Sequence, residues 1–512
     1  MADSLAPFTI RLHEDDNIVV ATRPVPVGTK IKVGATSFNV TELIKPGHKL
    51  ALTPINQEDP ILKFGQIIGF ASEAIQPGDH VHVHNVACDA FDREYAFSTA
   101  VPPPPLPPDE LGFFDGYLRR DGRVGTRNYL AVISTVNCSA TVCKQILNQF
   151  DEEALRPYPN VDGVIAITHR TGCGMAPAGI DRINVKRTLD GFARHCNVFD
   201  YLLVGLGCEV NQPNEIIPVE QLTGEVSPPK VLTIQAAGGV KKTVAAGVQM
   251  IGGMLEKANA CRRTRQPASK IILGTECGGS DGSSGVSSNP AVGKAGDQIV
   301  AQGGTVILSE TPEIYGAEHL LTRRAVDPHV GQKLIDRIRW WEWYVDVFGA
   351  AINNNPTVGN KEGGLTTIYE KSLGAIAKGG STALVDVYEY AEPVTAKGFV
   401  VMDTPGYDPV SVTGMVAGGA NVVVFTTGRG SVFGCKPVPS IKIASNNTVY
   451  RHMEDDMDVN AGVILAEATP VEAVGRQIYE MILSVASGQS TKSEQSNMGE
   501  EEFSPWLVGP VL

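Results

Sequence analysis

The sequence has no Cys-x-x-Cys pair among its nine cysteines, and their spacing fits no disulfide framework. This absence argues against a structural zinc ribbon and favours reduced thiols. No run approaches the ~18 apolar residues that a membrane-spanning helix needs. The first residues lack the basic and apolar regions of a signal peptide. We therefore expect a cytoplasmic protein with no membrane partner.

The sequence also lacks an excess of positive charge. Its 43 Lys and Arg residues stand against 56 Asp and Glu residues, which gives a net charge of −13. Nucleic-acid binding is therefore not expected, although a local pair of basic side chains can still hold a small anionic substrate. At 512 residues with 43% hydrophobic content, the chain is too long for one core, and we expect two or three soluble domains.

Residues 1–100 are predicted to form a small β-rich domain, because short apolar runs alternate with Pro-Gly turns. Within it, His80, His82 and His84 alternate with valines, which predicts a strand that carries three imidazoles on one face. They could contact a metal or a substrate, or line an exposed strand that binds nothing. A stiff Pro-rich linker at 101–112 marks the clearest boundary in the chain.

Residues 113–265 and 266–512 are each predicted to form an α/β domain with a mostly parallel sheet, because strand-like runs alternate with helix-like segments. Such sheets bind ligands beyond the carboxyl ends of their strands. Several chemically capable residues lie just past predicted strand ends, and these are Cys138, His169, Cys173, Cys208 and Cys277.

The stretch Gly274–Gly293 is predicted to run from a buried strand through a loop of small residues into a helix. This arrangement presents backbone N–H groups to an anion, and here the loop adds Glu276, Cys277 and Asp281. The alternative is a tight turn whose glycines only satisfy backbone geometry.

Each candidate side chain has a functional and a structural interpretation. The four strand-end cysteines could bind a single Fe²⁺ or an iron–sulfur cluster, or could be small buried residues. His169 could be a base or a ligand, or a core histidine. The arginines Arg127, Arg170 and Arg429 could each bind a carboxylate through two hydrogen bonds, or form surface salt bridges.

Several long motifs resemble the altronate/galactarate dehydratase family, and the resemblance extends over nearly the whole chain. The motifs are GYLRRDGRVGTRN at 116–128, GCG at 172–174, GLGCE at 205–209, ECGGSDGSSGVSSNPAVG at 276–293, NPTVGNKEGGLTTIYEKSLGAIAKGG at 355–380 and FTTGRGSVFG at 425–434. The resemblance implies an N-terminal SAF-type β-clip domain followed by two Rossmann-like α/β domains.

The resemblance also implies a hydro-lyase that dehydrates a sugar acid with Fe²⁺ or Mn²⁺, and an iron–sulfur cluster is the alternative cofactor. His169, Glu276 and Asp281 would then be catalytic. Substrate would contact Arg127, Asn128, Arg170, Arg429, His82 and His84, and metal would bind Cys138, Cys173, Cys208 and Cys277.

The HVHVHN run at 80–85 resembles the altronate branch of the family. We therefore expect D-altronate as the substrate and 2-keto-3-deoxy-D-gluconate as the product. The alternatives are galactarate dehydration, a related sulfo-lyase activity, and a non-catalytic protein that binds sugar acids. A homodimer is also expected.

Overall fold

The structure is a computed structural model that describes residues 8–106, 110–216 and 230–508. Three β-containing regions follow one another, in agreement with the α/β architecture expected from the sequence. Of the predicted linker 101–112, residues 107–109 lie outside the described residues, and 101–106 contain neither helix nor strand. In the described part of the chain, no helix is both long and apolar enough to cross a membrane.

Short antiparallel strands make up the N-terminal domain, where β-branched residues alternate with turns. They form one four-stranded sheet in the order β1-β2-β5-β8, the hairpin β3-β4, and the sheet β6-β7-β9. The bounds are β1 (Thr9–Ile10), β2 (Ile18–Ala21), β3 (Lys30–Val33), β4 (Thr36–Asn39), β5 (Lys49–Ala51), β6 (Pro60–Lys63), β7 (Gln66–Ala71), β8 (His80–Val81) and β9 (Val86–Ala87).

The middle domain has a four-stranded parallel sheet in the order β13-β12-β14-β15 and an antiparallel sheet β11-β10-β16. Its strands are β10 (Phe113–Leu118), β11 (Val124–Gly125), β12 (Tyr129–Ser134), β13 (Gly163–Ile167), β14 (Val198–Gly205), β15 (Lys230–Thr233) and β16 (Thr264–Pro267). Its helices are α1 (Asn137–Leu147), α2 (Glu152–Leu155), α3 (Ile180–Ala193), α4 (Pro213–Ile216), α5 (Ile234–Ala237) and α6 (Val240–Asn259).

The C-terminal domain is built on a seven-stranded parallel sheet in the order β19-β20-β18-β17-β21-β22-β23. Its strands are β17 (Ile272–Cys277), β18 (Thr305–Leu308), β19 (Leu384–Tyr388), β20 (Gly398–Met402), β21 (Val422–Thr427), β22 (Ser440–Ala444) and β23 (Val459–Asn460). Its helices are α7 (Ser288–Ala301), α8 (Glu318–Arg323), α9 (Pro328–Val347), α10 (Val358–Glu362), α11 (Ile368–Ala375), α12 (Asp408–Ala417), α13 (Asn447–His452), α14 (Val463–Ala466), α15 (Val471–Ala486) and α16 (Lys492–Gln495).

Both other domains share hydrophobic cores with the C-terminal domain. One core joins Ile18 and Ile68 of the N-terminal domain to residues such as Leu308. A second core joins Phe192 of the middle domain to Phe425. At this second contact α3 and α12 touch through their backbones, because a Cβ added to Gly191 would collide with Ala417. The shared cores fix the positions of the sheet edges relative to one another.

The structure corrects two local expectations. The stretch from Gly274 is still strand at Glu276 and Cys277, and the loop occupies only 278–287 before α7 begins. The predicted histidine strand ends at Val81. Residues 82–85 then form a turn in which the His82 N–H donates to Asn85 Oδ1 at 2.9 Å and the Asn85 N–H donates to the His82 carbonyl at 3.0 Å. The histidines therefore do not line one face of a strand.

Candidate active site

Four parallel strands end side by side at one edge of the seven-stranded sheet, in the order β20, β18, β17, β21. Cys277 is the last residue of β17, Glu310 lies two residues beyond β18, and Asp403 directly follows β20. Ligands of open parallel sheets bind beyond this kind of edge. A ligand site is therefore expected at this edge.

An acidic cluster lies at this edge, and we define it as Glu276, Glu310, Glu313 and Asp408. Lys371 Nζ donates to Glu313 Oε1 at 2.7 Å, and Lys378 Nζ donates to Glu310 Oε2 at 2.6 Å. The two lysines therefore face four carboxyl groups. An excess of buried carboxyl groups either raises their pKa values or attracts a cation.

Glu276 and Glu310 each have one buried oxygen that lacks a hydrogen-bond partner, and in both residues this is Oε1. The other oxygen of Glu276 accepts hydrogen bonds from Ser309 Oγ at 3.0 Å and Ser411 Oγ at 2.7 Å. Burial and then repulsion from Glu310 raise the pKa of Glu276 well above its ordinary value. Burial also raises the pKa of Glu310. The pair therefore holds a proton more tightly than an ordinary carboxyl group does, and a cation would compete with that proton.

The backbone at Glu310 is strained. Its φ of 64° lies in the left-handed region, which non-glycine residues rarely occupy. The Glu310 N–H donates to Thr404 Oγ1 at 2.8 Å, and this bond holds the strained residue against the loop after β20. Such strain is concentrated at functional sites, where the surrounding structure maintains it.

Cys277 lies inside the same network. Lys378 Nζ donates to its Sγ at 2.7 Å, its Sγ lies 3.5 Å from Glu313 Oε2, and its N–H donates to Glu310 Oε2 at 3.1 Å. Burial and the nearby Glu310 raise the pKa of the Cys277 thiol well above its ordinary value. At neutral pH Cys277 is therefore a thiol rather than a thiolate.

A buried lysine–glutamate triad, Lys49, Lys63 and Glu370, connects the N-terminal domain to α11. Lys49 Nζ and Lys63 Nζ each donate to a different oxygen of Glu370 at 2.8 Å, and all three side chains are buried. Two ammonium groups lower the pKa of the Glu370 carboxyl, whereas burial lowers the pKa of Lys49 to about 8. The triad is a fully paired ionic contact between the two domains.

A narrow crevice lies between the triad and the acidic cluster. It is bounded by the hairpin β6–β7, the loop 278–287 and α11, and its polar lining includes Lys63, Cys277, Ser280, Asp281, Ser284, Asn289, Glu370 and Lys371. We refer to the crevice, the triad and the acidic cluster together as the seam. Ammonium groups beside hydroxyl groups suit an anionic, hydroxylated ligand.

Four imidazoles form a histidine cluster in the N-terminal domain, next to the seam. Ring centroids lie 5.1 Å apart for His48 and His80, 5.0 Å apart for His48 and His82, and 5.7 Å apart for His80 and His84. His48 is buried, His80 and His82 are half-buried, and His84 is exposed. Lys49 of the triad follows His48 directly in the sequence, so the histidine cluster lies next to the seam.

The loop 278–287 connects the seam to the histidine cluster, and Asp281 holds it in shape. Asp281 Oδ1 accepts hydrogen bonds from the Ser284 N–H and from Ser445 Oγ, each at 2.8 Å, and Oδ2 accepts one from Asn446 Nδ2 at 3.1 Å. The loop packs on the residue before His48, since a Cβ added to Gly282 would collide with the Gly47 carbonyl oxygen. Both Asp281 oxygens are therefore used in maintaining the loop.

The structure brings together a subset of the residues expected from the sequence. Glu276, Cys277 and Asp281 lie on one strand and the loop that follows it. His82 and His84 belong to the histidine cluster. Arg429 is exposed, and its Nη2 donates to Glu362 Oε2 at 3.2 Å, while the carbonyl of the same Glu362 lies 3.3 Å from His48 Nε2. These six residues therefore border the seam and the histidine cluster.

His169 lies in the middle domain, with both ring nitrogens occupied. Its Nδ1 accepts from the Thr171 N–H at 3.3 Å, so its Nε2 donates to the Ser134 carbonyl at 3.0 Å. Burial lowers the pKa of His169 to about 4. In this arrangement His169 stabilises the loop after β13 and has no nitrogen available for a substrate or a metal.

Arg127 and Asn128 are also occupied within the protein. Arg127 uses all five N–H donors, two of them on the carboxylate of Glu494 at 2.7 and 2.8 Å and the others on backbone carbonyls. The Asn128 side chain donates to the carbonyls of Asn160 and Ala258. The Arg127 contacts bind the middle domain to the C-terminal domain, and the Asn128 contacts lie within the middle domain. Arg170 is exposed.

Cys138, Cys173 and Cys208 follow three adjacent strands of the middle sheet, β12, β13 and β14, and all three are exposed. Cys277, by contrast, is buried at the edge of the other parallel sheet. The structure thus separates the expected four-cysteine set into a group of three and a single buried thiol.

Several residues of the seam were missing from the sequence-based candidates: Lys49, Lys63, Glu313, Glu370, Lys371, Lys378 and Asp408, together with His48 of the histidine cluster. The only signal for any of them was their presence in a family motif, since 355–380 contains Glu370, Lys371 and Lys378. His48 stands alone in the sequence, 32 residues before its partner His80.

Three family models match the chain in order. "Altronate/galactarate dehydratase SAF domain" matches residues 7–89, "D-galactarate dehydratase/Altronate hydrolase, second domain" matches 116–259, and "D-galactarate/Altronate dehydratase, C-terminal" matches 268–511. These matches confirm the resemblance seen in the motifs and the SAF-type N-terminal domain.

Three curated proteins illustrate the similarity. The altronate dehydratase of Bacillus subtilis is 34% identical over 96% of this chain and 97% of its own length. The L-threo-forming galactarate dehydratase of Escherichia coli is 37% identical over 95% of this chain and 94% of its own. The (2R)-sulfolactate sulfo-lyase subunit beta of Chromohalobacter salexigens is 31% identical over 76% of this chain and 96% of its own.

Proposed function

This chain belongs to the D-galactarate/altronate dehydratase family of hydro-lyases, and we propose that its substrate is D-altronate, which it converts to 2-keto-3-deoxy-D-gluconate. The observation that carries the proposal is the match to sugar-acid dehydratases over almost the entire chain. The HVHVHN run at 80–85, which resembles the altronate branch, favours altronate over galactarate.

The reaction needs a proton to leave the carbon next to the carboxylate and a hydroxyl group to leave the following carbon. In our proposal Lys371, which lines the crevice, binds the substrate carboxylate through its ammonium group. In the Glu276–Glu310 pair, the ionised carboxylate accepts the proton from carbon, and the other carboxyl group, whose pKa is raised, gives its proton to the hydroxyl, which leaves as water. The resulting enol then becomes the 2-keto-3-deoxy acid.

The family resemblance implies a divalent metal, and the donor atoms around the seam suit one. The candidate ligands are the carboxylates of the acidic cluster and the imidazoles His48, His80 and His82. A bound divalent ion would stabilise the negative charge that develops on the substrate carboxylate as a Lewis acid. An iron–sulfur cluster on Cys138, Cys173 and Cys208 is the alternative cofactor proposal, because these exposed thiols follow adjacent strands.

Galactarate dehydration is the second candidate function, because the Escherichia coli galactarate dehydratase is the more identical of the two dehydratases at 37%. Galactarate carries a carboxylate at both ends, whereas altronate carries one. The exposed Arg429, paired with Glu362 in this structure, is the side chain that we assign to a second carboxylate if galactarate is the substrate.

A direct comparison of the two acids tests the proposal. Protein purified without oxygen is loaded with Fe²⁺ or Mn²⁺ and assayed with D-altronate and galactarate for formation of a 2-keto-3-deoxy acid. We expect kcat/KM to be at least about tenfold higher for D-altronate. A preference for galactarate would select the second candidate, and no turnover of either acid would favour a non-catalytic binding protein.

A further inference from the structure

Two ring nitrogens of the histidine cluster face each other at hydrogen-bond distance. His48 Nδ1 and His80 Nε2 lie 3.0 Å apart. Two imidazole nitrogens this close form a favourable contact only if one of them carries a hydrogen or if a cation lies between them. Which of these applies depends on where the protons of the two rings are located.

The outer nitrogen of each ring already needs its proton. His48 Nε2 lies 3.3 Å from the carbonyl oxygen of Glu362, and a carbonyl can only accept. His80 Nδ1 lies 3.1 Å from a carboxylate oxygen of Glu42, which also accepts. Each neutral ring therefore has its hydrogen on the outer nitrogen, and the two inner nitrogens face each other with their lone pairs.

A third ring nitrogen is available beside these two. His82 Nδ1 is buried without a hydrogen-bond partner. One nitrogen from each of the three rings can be chosen so that all three lie within 4.8 Å of one another.

We propose that His48, His80 and His82 bind the divalent metal on which the dehydration depends, while Glu42 and the Glu362 carbonyl orient His48 and His80 from outside. This inference rests on the proposed function for the role of the metal, but the binding site itself is argued from the ring geometry. The carboxylate–histidine–metal arrangement is the usual way in which proteins fix the ring and tautomer of a metal ligand.

The donor set defines the class of metal. Three imidazoles favour a first-row transition ion such as Fe²⁺, Mn²⁺, Co²⁺ or Zn²⁺ over Mg²⁺ or Ca²⁺, which prefer oxygen ligands. Ligands from three side chains leave coordination positions for substrate oxygens. The half-buried rings of His80 and His82 keep the site accessible, and the loop 278–287 packs against the residue before His48.

The acidic cluster is the competing location, since ligand atoms of Glu276, Glu310 and Asp408 also lie within 4.8 Å of one another and two carboxylate oxygens lack partners. We favour the histidines because the acidic cluster already contains two cations, the ammonium groups of Lys371 on Glu313 and of Lys378 on Glu310. In the histidine cluster, by contrast, acceptors outside His48 and His80 leave the inner ring nitrogens facing each other.

The test measures metal binding directly, without relying on turnover. Full-length protein is purified without oxygen, stripped with a chelator and titrated with Co²⁺, whose visible spectrum reports nitrogen ligands and whose uptake gives the stoichiometry. We expect one Co²⁺ per chain in the wild type, and affinity at least about 100-fold weaker in both His48→Ala and His82→Ala. Glu42→Gln should weaken binding about 10-fold, as loss of an outer hydrogen bond does.

Two variants serve as controls. His329→Ala removes an exposed histidine at the start of α9 and should leave the titration unchanged. Glu276→Gln should also bind Co²⁺ as the wild type does, because the acidic cluster is separate from the three imidazoles. Circular dichroism and thermal unfolding establish that each variant is folded. His82 is half-buried, so the test can rely on His82→Ala if His48→Ala does not fold.

Wild-type Co²⁺ binding in folded His82→Ala and His48→Ala would overturn the inference. If binding were lost only in Glu276→Gln, the metal would belong to the acidic cluster. The wild-type protein could instead be brown and contain acid-labile sulfide, with both features lost in Cys138→Ser. That result would overturn the inference and assign the metal to the cysteines. Metal binding that depends on the histidines without turnover of any sugar acid would support the site and reject the proposed function.

Discussion

Asp408 shows how one residue of the acidic cluster can make stability depend on pH. Burial, then repulsion from Glu310 and Glu313, raises the pKa of Asp408 from 3.8 to about 7. The folded state therefore holds this proton more tightly than the unfolded state does. Its stabilising contribution is fully present below about pH 4 and is lost as the pH rises through about 7.

We predict that Asp408→Asn makes the metal-free protein more stable than the wild type at pH 8 to 9. The gain should shrink as the pH falls toward 5, and a shift of this size limits it to about 4 kcal/mol. Urea unfolding at several pH values in the presence of a chelator measures the free-energy difference between the two proteins. A difference that does not vary with pH would show that Asp408 is not the titrating group.

At the residue scale, the sequence predicted which residues lie at the site better than it predicted what each of them does there. Glu276, Cys277 and Asp281 were recognised because they follow an apolar strand within a distinctive motif. Asp281 nevertheless uses both oxygens to hold the loop, and Arg127 uses every donor within the protein. Hydrogen bonds between distant segments decide such roles, and one sequence does not reveal them.

At the scale of elements, the lysine–glutamate triad links β5 and β6 of the N-terminal domain to α11 of the C-terminal domain. Lys49 is the first residue of β5, Lys63 is the last residue of β6, and Glu370 lies in α11. Glu370 also accepts from the Thr366 N–H at 2.9 Å, which fixes the turn before the helix. The orientation of three elements thus depends on a single carboxylate.

We predict that Glu370→Gln destabilises the protein by about 3–5 kcal/mol, because two buried ammonium groups lose their partner. Hydrogen exchange of residues 47–64 should increase together with the loss of stability. The matched control is Glu472→Gln, which removes an exposed partner of Lys294 and should leave the stability close to that of the wild type. Wild-type exchange in Glu370→Gln would mean that the triad does not hold the two domains together.

The sequence predicted the long apolar strands well, because a buried parallel strand is an uninterrupted apolar run. The apolar run at 398–402 is β20, and the apolar run that begins at Tyr129 is β12. The His80–Asn85 run was misread as a strand because alternation alone does not reveal that the Asn85 side chain closes a turn. That turn is what brings His82 close to His48.

At the scale of the whole molecule, two shared cores hold the N-terminal and middle domains on the C-terminal domain. The first of these contacts places Lys49 and Lys63 against α11, where they form the triad with Glu370. The strand order of the seven-stranded sheet, which brings Cys277 beside Glu310, could not be predicted from the sequence. The expected homodimer and the cytoplasmic location stay predictions.

Dehydration of D-altronate in D₂O, followed by proton NMR, tests the central claim most directly. The anaerobically purified, metal-loaded protein should form 2-keto-3-deoxy-D-gluconate with one deuterium at carbon 3, because the enol takes its new hydrogen from solvent. Formation of this product by the wild type would support dehydration by the family chemistry. Unchanged D-altronate after prolonged incubation with the metal-loaded protein would contradict it.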